Sequence, residues 1–82
     1  MAYIVKTSSA KMPASVKAQY RNVAIIEVDD NITDVSMISE RAKGVKRIVR
    51  HYGPLHVGKT DRCAYRVALA EATAEAAVLN AA

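Results

Sequence analysis

Seven cationic side chains carry the most suggestive chemistry in this sequence: Lys43, Lys46, Arg47, Arg50, Lys59, Arg62 and Arg66. Clustered Lys and Arg neutralise the phosphates of a nucleic-acid backbone or dock on an acidic protein surface, and such binding weakens steeply as salt rises. Between residues 41 and 66 there are eight Lys or Arg against one acid, Asp61. The acids are segregated in turn, with Glu27, Asp29, Asp30 and Asp34 close together and no base among them. The overall charge of +4 understates a field that has direction as well as sign. Other reactive residue types are sparse. His51, His56 and Cys63 match no zinc spacing and lack a fourth ligand, so no metal or cofactor is expected. Cys63, the single cysteine, excludes an intrachain disulfide and has no identifiable base to activate it. Glu71 and Glu75, one helical turn apart, read as a solvated face. No catalytic residue is assigned, and an enzyme is not expected.

Gly53 to Thr60, GPLHVGKT, fits the spelling GxxxxGK[ST] and resembles the phosphate-binding loop of nucleotide hydrolases. The resemblance implies a strand leading into the loop, phosphates held by its amides and Lys59, and magnesium on the Thr60 hydroxyl. Val23 to Asp30, VAIIEVDD, looks like the acid-tipped strand that steadies the metal in that family. The surrounding sequence departs from the pattern: Val45 to Tyr52 has helical spacing, Leu55 and Val57 suit a packed strand, and only 22 residues follow Thr60. The narrower expectation is a phosphate contact at Gly58, Lys59 and Thr60, where a helix N-terminus offers free amides beside Arg62.

The elements expected to position these residues are three strands and two helices. Tyr3 to Val5 is a short β-prone opening. Val16 to Tyr20 alternates in polarity and reads as a strand, with a short extra helix near residues 13–21, opened by Pro13, as the alternative. Val23 to Val28 is apolar on both faces through Ile26, which marks a central strand. The spacing then predicts an amphipathic helix over Thr33 to Gly53. At about 100° per residue, it puts Val35, Met37, Ile38, Ala42, Val45, Ile48, Val49 and Tyr52 on one face and Ser39, Lys43, Lys46, Arg47 and Arg50 on the other. Gly53 and Pro54 supply its stop. Leu55 to Val57 is a brief third strand, and Thr60 and Asp61 cap a last helix reaching about Asn80.

That last helix carries two apolar stripes, Cys63, Val67, Ala70, Ala74, Ala77 and Val78 on one side and Tyr65, Ala68, Leu69, Ala72, Ala76 and Leu79 on the other. A helix apolar on two faces calls for two apolar neighbours, and a homodimer through this helix would supply the second. The expected fold is a small two-layer α+β sandwich of order β-β-α-β-α, with residues 1–82 as a single domain.

No apolar run is long enough to cross a bilayer and no secretory signal opens the chain, so a cytoplasmic location without membrane contact is expected. The function expected is that of a small regulatory binding module whose basic helix face docks on nucleic acid. The alternative is an adaptor or inhibitor of the phage or mobile-element type, bound to an acidic or nucleic-acid-handling protein.

Overall fold

In the computed structural model, which describes residues 1–82, the chain forms strands β1 (Ala2–Ser9), β2 (Tyr20–Val28) and β3 (Val45–His56), followed by helix α1 (Ala64–Ala81). The strands make one antiparallel sheet in the order β1-β2-β3, an α+β arrangement with β2 in the centre. The apolar run in β2 demands this position: Val23, Ala24, Ile25, Ile26 and Val28 are all fully buried. Successive side chains of a strand point to opposite faces, so a run buried throughout needs cover on both.

On one face, Val23 and Ile25 pack against Ala72 and Ala76 of α1, with Tyr65, Leu69 and Leu79 around them. Alanines at the contact let the helix lie close to the sheet. On the other face, Ala24, Ile26 and Val28 pack against Val35, with Ile32 and Ile38 beside it. These three come from residues 29–44, which have no regular structure beyond turns but bury their apolar side chains as an element would. Gly44 ends this segment at φ +89°, where an added Cβ would press on the Ile32 side chain at 3.3 Å. Asn80 secures the far edge: its side-chain amide accepts from the Tyr3 N–H and donates to the Tyr3 carbonyl, both at 2.8 Å, closing part of the free edge of β1.

The expected order β-β-α-β-α is replaced by β-β-β-α, and the expected helix over Thr33 to Gly53 does not form. Its second half is β3, the longest strand. The reason lies in the pairing. Eight residues of β2, Arg21 to Val28, are matched by the stretch Val45 to Leu55, with register shifts at Arg21/Val23, Ile25/Ile26 and Glu27/Val28. Each shift inserts an extra residue in β3, and an extra residue turns the strand's alternation of two into a spacing of three. Val45 and Ile48 therefore share one face, while Val49, Tyr52 and Leu55 share the other. That rhythm imitates a helix. The Leu55 to Val57 strand is the end of β3 rather than a separate element, and residues 13–19 form turns, neither a helix nor a strand.

Gly53 is thus no helix stop. It occupies the first of these shifts at φ +134°, where a Cβ would lie 2.5 Å from Asn22 Oδ1 and 3.2 Å from Asn22 Cα. Gly53→Ala is expected to lower stability by about 2 kcal/mol through backbone strain and this clash, read as a lower urea midpoint with an unchanged m-value.

Candidate polyanion interface

The cations of β3 are engaged by carboxylates. Arg47 Nε donates to Glu27 Oε1 at 3.1 Å, and the Tyr3 hydroxyl donates to the other oxygen of Glu27 at 3.1 Å. Glu27 is the one buried charged residue, 7% exposed, so Arg47 and Tyr3 compensate a desolvated charge rather than decorate a surface. Arg50 pairs with Glu75 of α1 at 3.1 Å, and Glu75 also accepts from the Tyr52 hydroxyl at 3.4 Å. Burial is the main influence raising the Tyr52 hydroxyl above its ordinary pKa, opposed by the Arg50 charge and reinforced by Glu75. Lys46 reaches Asp29 at 3.3 Å. Three of the seven expected contact residues therefore serve the fold's own charge balance, and no helix gathers them on one face.

Lys43 is exposed and unpaired, but it lies in the 29–44 segment, at the end of the sheet where Val28 meets Val45. The acids collect there too. Besides the Lys46–Asp29 pair, Asp34 takes Lys6 at 3.5 Å and Asp30 takes the amino-terminal ammonium, whose hydrogen bond and charge hold the Asp30 carboxyl below its usual pKa.

The opposite end of the sheet is different. Here Ala10 N–H donates to the Tyr20 carbonyl at 3.0 Å and Val57 N–H to the Gln19 carbonyl at 2.9 Å, which ties the 10–19 connection to the 57–63 connection. Lys11, Lys17 and Arg21 thereby join Lys59, Arg62 and Arg66. None of these six forms a salt bridge, and Asp61 is the one acid in these two stretches. Arg21 is positioned without an acid, donating to Ser9 Oγ and Thr7 Oγ1 at 3.2 Å each, its guanidinium carbon 5.7 Å from the Tyr65 ring centroid. Beside this end, His56 meets Tyr20 edge-on with centroids 5.5 Å apart. The sequence reading found Lys59, Arg62 and Arg66 but missed Lys11, Lys17 and Arg21. Nothing in their spacing signals a group separated by some 40 residues of chain; only the antiparallel return of β2 brings it together.

A strand does precede Gly53, contrary to the helical reading, yet Gly53 to Thr60 makes no phosphate cradle. Leu55 and His56 continue β3 opposite Arg21 and Tyr20, so the middle of the stretch stays extended and paired. Asp29 and Asp30, the acids of the resemblance, follow β2 at the other end of the sheet. Thr60 Oγ1 accepts from the Arg62 N–H at 3.3 Å, and the Thr60 carbonyl accepts from the Cys63 N–H at 3.3 Å, a local turn. Gly58 sits with Cys63 Cβ 3.1 Å from where its own Cβ would be. The helix begins three residues after Asp61, with Cys63 at the N-cap position and no side-chain hydrogen bond closing the cap.

The chain matches no protein-family model, no curated protein and no solved structure. No helix in it is long and apolar enough to cross a membrane. His51, His56 and Cys63 do not gather with a further ligand into a group able to hold a metal.

Cys63 has one measurable property. The backbone amides of Gly58 and Arg66 are the largest influences pulling its thiol below the ordinary range; burial opposes them, and the Tyr65 amide and Arg66 charge add to them. Iodoacetamide alkylation of the native protein is expected to rise with pH at a lower midpoint than in urea-unfolded protein, whose thiol should titrate near about 8.5. The buried carboxylate gives a second expectation. Arg47→Ala should cost about 1.5–3 kcal/mol by removing a charge-assisted hydrogen bond from the buried Glu27, against less than about 1 kcal/mol for Lys46→Ala at the exposed Asp29 pair, both measured by urea denaturation.

Proposed function

We propose that this protein is a non-enzymatic binding module that docks on a polyanion, nucleic acid foremost, through the end of the sheet bearing Lys11, Lys17, Arg21, Lys59, Arg62 and Arg66. One observation carries the reading: six cations from two distant stretches converge where no salt bridge neutralises them. Charges left unpaired in this way attract phosphates by counterion release without reading base sequence. Gly58, Lys59 and Thr60 belong to this surface as one backbone-phosphate contact rather than as a nucleotide site. Lys46, Arg47 and Arg50, already paired, contribute little, and Lys43 lies at the far end.

The same surface suits an acidic or nucleic-acid-handling protein, as expected of an adaptor or inhibitor, and salt dependence separates the two readings. Fluorescence anisotropy with random duplex DNA and with RNA should show binding at low salt. Affinity should fall roughly several-hundredfold between about 50 and 200 mM salt if five phosphates are contacted. Charge reversal of Lys17, Lys59 and Arg62 together should abolish that binding, whereas reversal of Lys43 should leave it within about twofold. Absence of binding to either nucleic acid at low salt would remove the nucleic-acid reading and leave the acidic protein partner.

A further inference from the structure

One stripe of α1 faces the sheet and the other faces solvent. Cys63, Val67, Ala70, Ala74, Ala77 and Ala81 follow one another at alternating intervals of four and three residues, the spacing of a coiled-coil seam. This face is bare. Val67 is 45% exposed and Val78, beside the seam, 69%. An open groove of about 610 Å³ runs along its Arg66 flank, lined by Leu69, Ala70, Thr73, Ala74 and Ala77, with Asp61 and Arg66 also in its wall.

Two charges flank the seam and say what covers it. With Val67 and Ala70 as the a and d positions, Arg66 falls at g and Glu71 at the following e. Both are exposed, and neither takes part in any salt bridge of the chain. In a parallel helix pair, a g side chain reaches the e side chain five residues further along the other helix, and such pairs set partner and orientation. Arg66 and Glu71 are five residues apart and opposite in charge. In an antiparallel pair, g faces g and e faces e, so neither Arg66 nor Glu71 would meet an opposite charge, because Thr73, Asn80, Ala64 and Val78 fill the other g and e positions. The face is thus complementary to itself in one orientation.

We infer that α1 packs in parallel against α1 of a second copy of this chain, through the Val67–Ala81 seam, with Arg66 of each copy on the partner's Glu71. Alanines allow the two helices to approach closely. An 18-residue helix spans about 27 Å, and a seam that short and alanine-lined stays below the roughly 1,200 Å² of standard interfaces, in the size class of weak, transient encounters. Repulsion between the two adjacent cationic ends opposes it but is screened beyond about 8 Å at physiological salt, while the Arg66–Glu71 contacts lie well inside that distance. The pairing takes Arg66 out of the polyanion surface and leaves Lys11, Lys17, Arg21, Lys59 and Arg62 to it. Where both hold, the dimer sets two cationic ends side by side and lets one polyanion engage both copies.

Sedimentation equilibrium over about 5 to 500 µM in physiological salt should show a monomer–dimer equilibrium. Cys63, the only cysteine, reports orientation. In the parallel dimer a short bismaleimide joins Cys63 to the partner's Cys63; in an antiparallel dimer centred on the helix, the two lie about 27 Å apart and stay unjoined. Arg66→Glu or Glu71→Arg alone should weaken the dimer roughly tenfold, and the double swap should restore it, all with the wild-type circular dichroism spectrum. Should a reversal unfold the chain, Arg66→Gln and Glu71→Gln test the same contact and should also weaken the dimer. A monomeric mass throughout, a dimer that Cys63 fails to cross-link, or dimerisation indifferent to the charge changes would each overturn the inference.

Discussion

The structure depends on one constraint: β2 contains an apolar run with no face that tolerates water. Val23, Ala24, Ile25, Ile26 and Val28 are fully buried, and each large member contributes about 1.5–3 kcal/mol only if its own face is covered. A chain of this length has one helix to spend on that task. α1 covers the Val23 and Ile25 side, and the Ala24, Ile26 and Val28 side is left to residues 29–44. That segment lacks the hydrogen bonds of a helix, yet Val35 is buried as deeply as helical core residues and Ala42 nearly so. It is a cover formed from turns.

The distribution of charge follows from the same topology. Burying β2 also buries Glu27, and a buried carboxylate needs partners, which Arg47 and Tyr3 supply from the two flanking strands. Arg50 is taken by Glu75 of the covering helix, and Lys46 by the acidic turn after β2. Cations on β3 are thus consumed where the chain folds back past its own acids. Those at the other end of the sheet pair with no acid, since every acid but Asp61 belongs to β2, to residues 29–44 or to α1. A basic patch in sequence and a basic patch in space are therefore different sets of residues, sharing Lys59, Arg62 and Arg66.

The helix-like rhythm of Val45 to Tyr52 has a definite physical cause. Apolar residues three and four apart signal a helix because 3.6 residues make a turn, but a strand with bulges produces the same interval. Three extra residues in β3 shift its faces, and Gly53 at φ +134° is where one of those shifts is made against Asn22. Gly53-Pro54 looked like a helix stop for an allied reason: glycine suits any positive-φ site, whether a helix end or a bulge. The phosphate-loop spelling illustrates the converse, since the strand it requires is present while its middle residues are held in that strand by pairing with Arg21 and Tyr20.

The order of residues by itself determined the central strand, the C-terminal helix with its two apolar stripes, and the segregation of acid from base, because each follows from local periodicity or composition. Tertiary structure alone decided that Val45 to His56 is extended, that residues 29–44 serve as a wall of the core, and that Lys11, Lys17 and Arg21 share a surface with Lys59, Arg62 and Arg66. Those outcomes turn on which strand a residue pairs with and which carboxylate it meets. Such partners lie tens of residues away, where local periodicity carries no information.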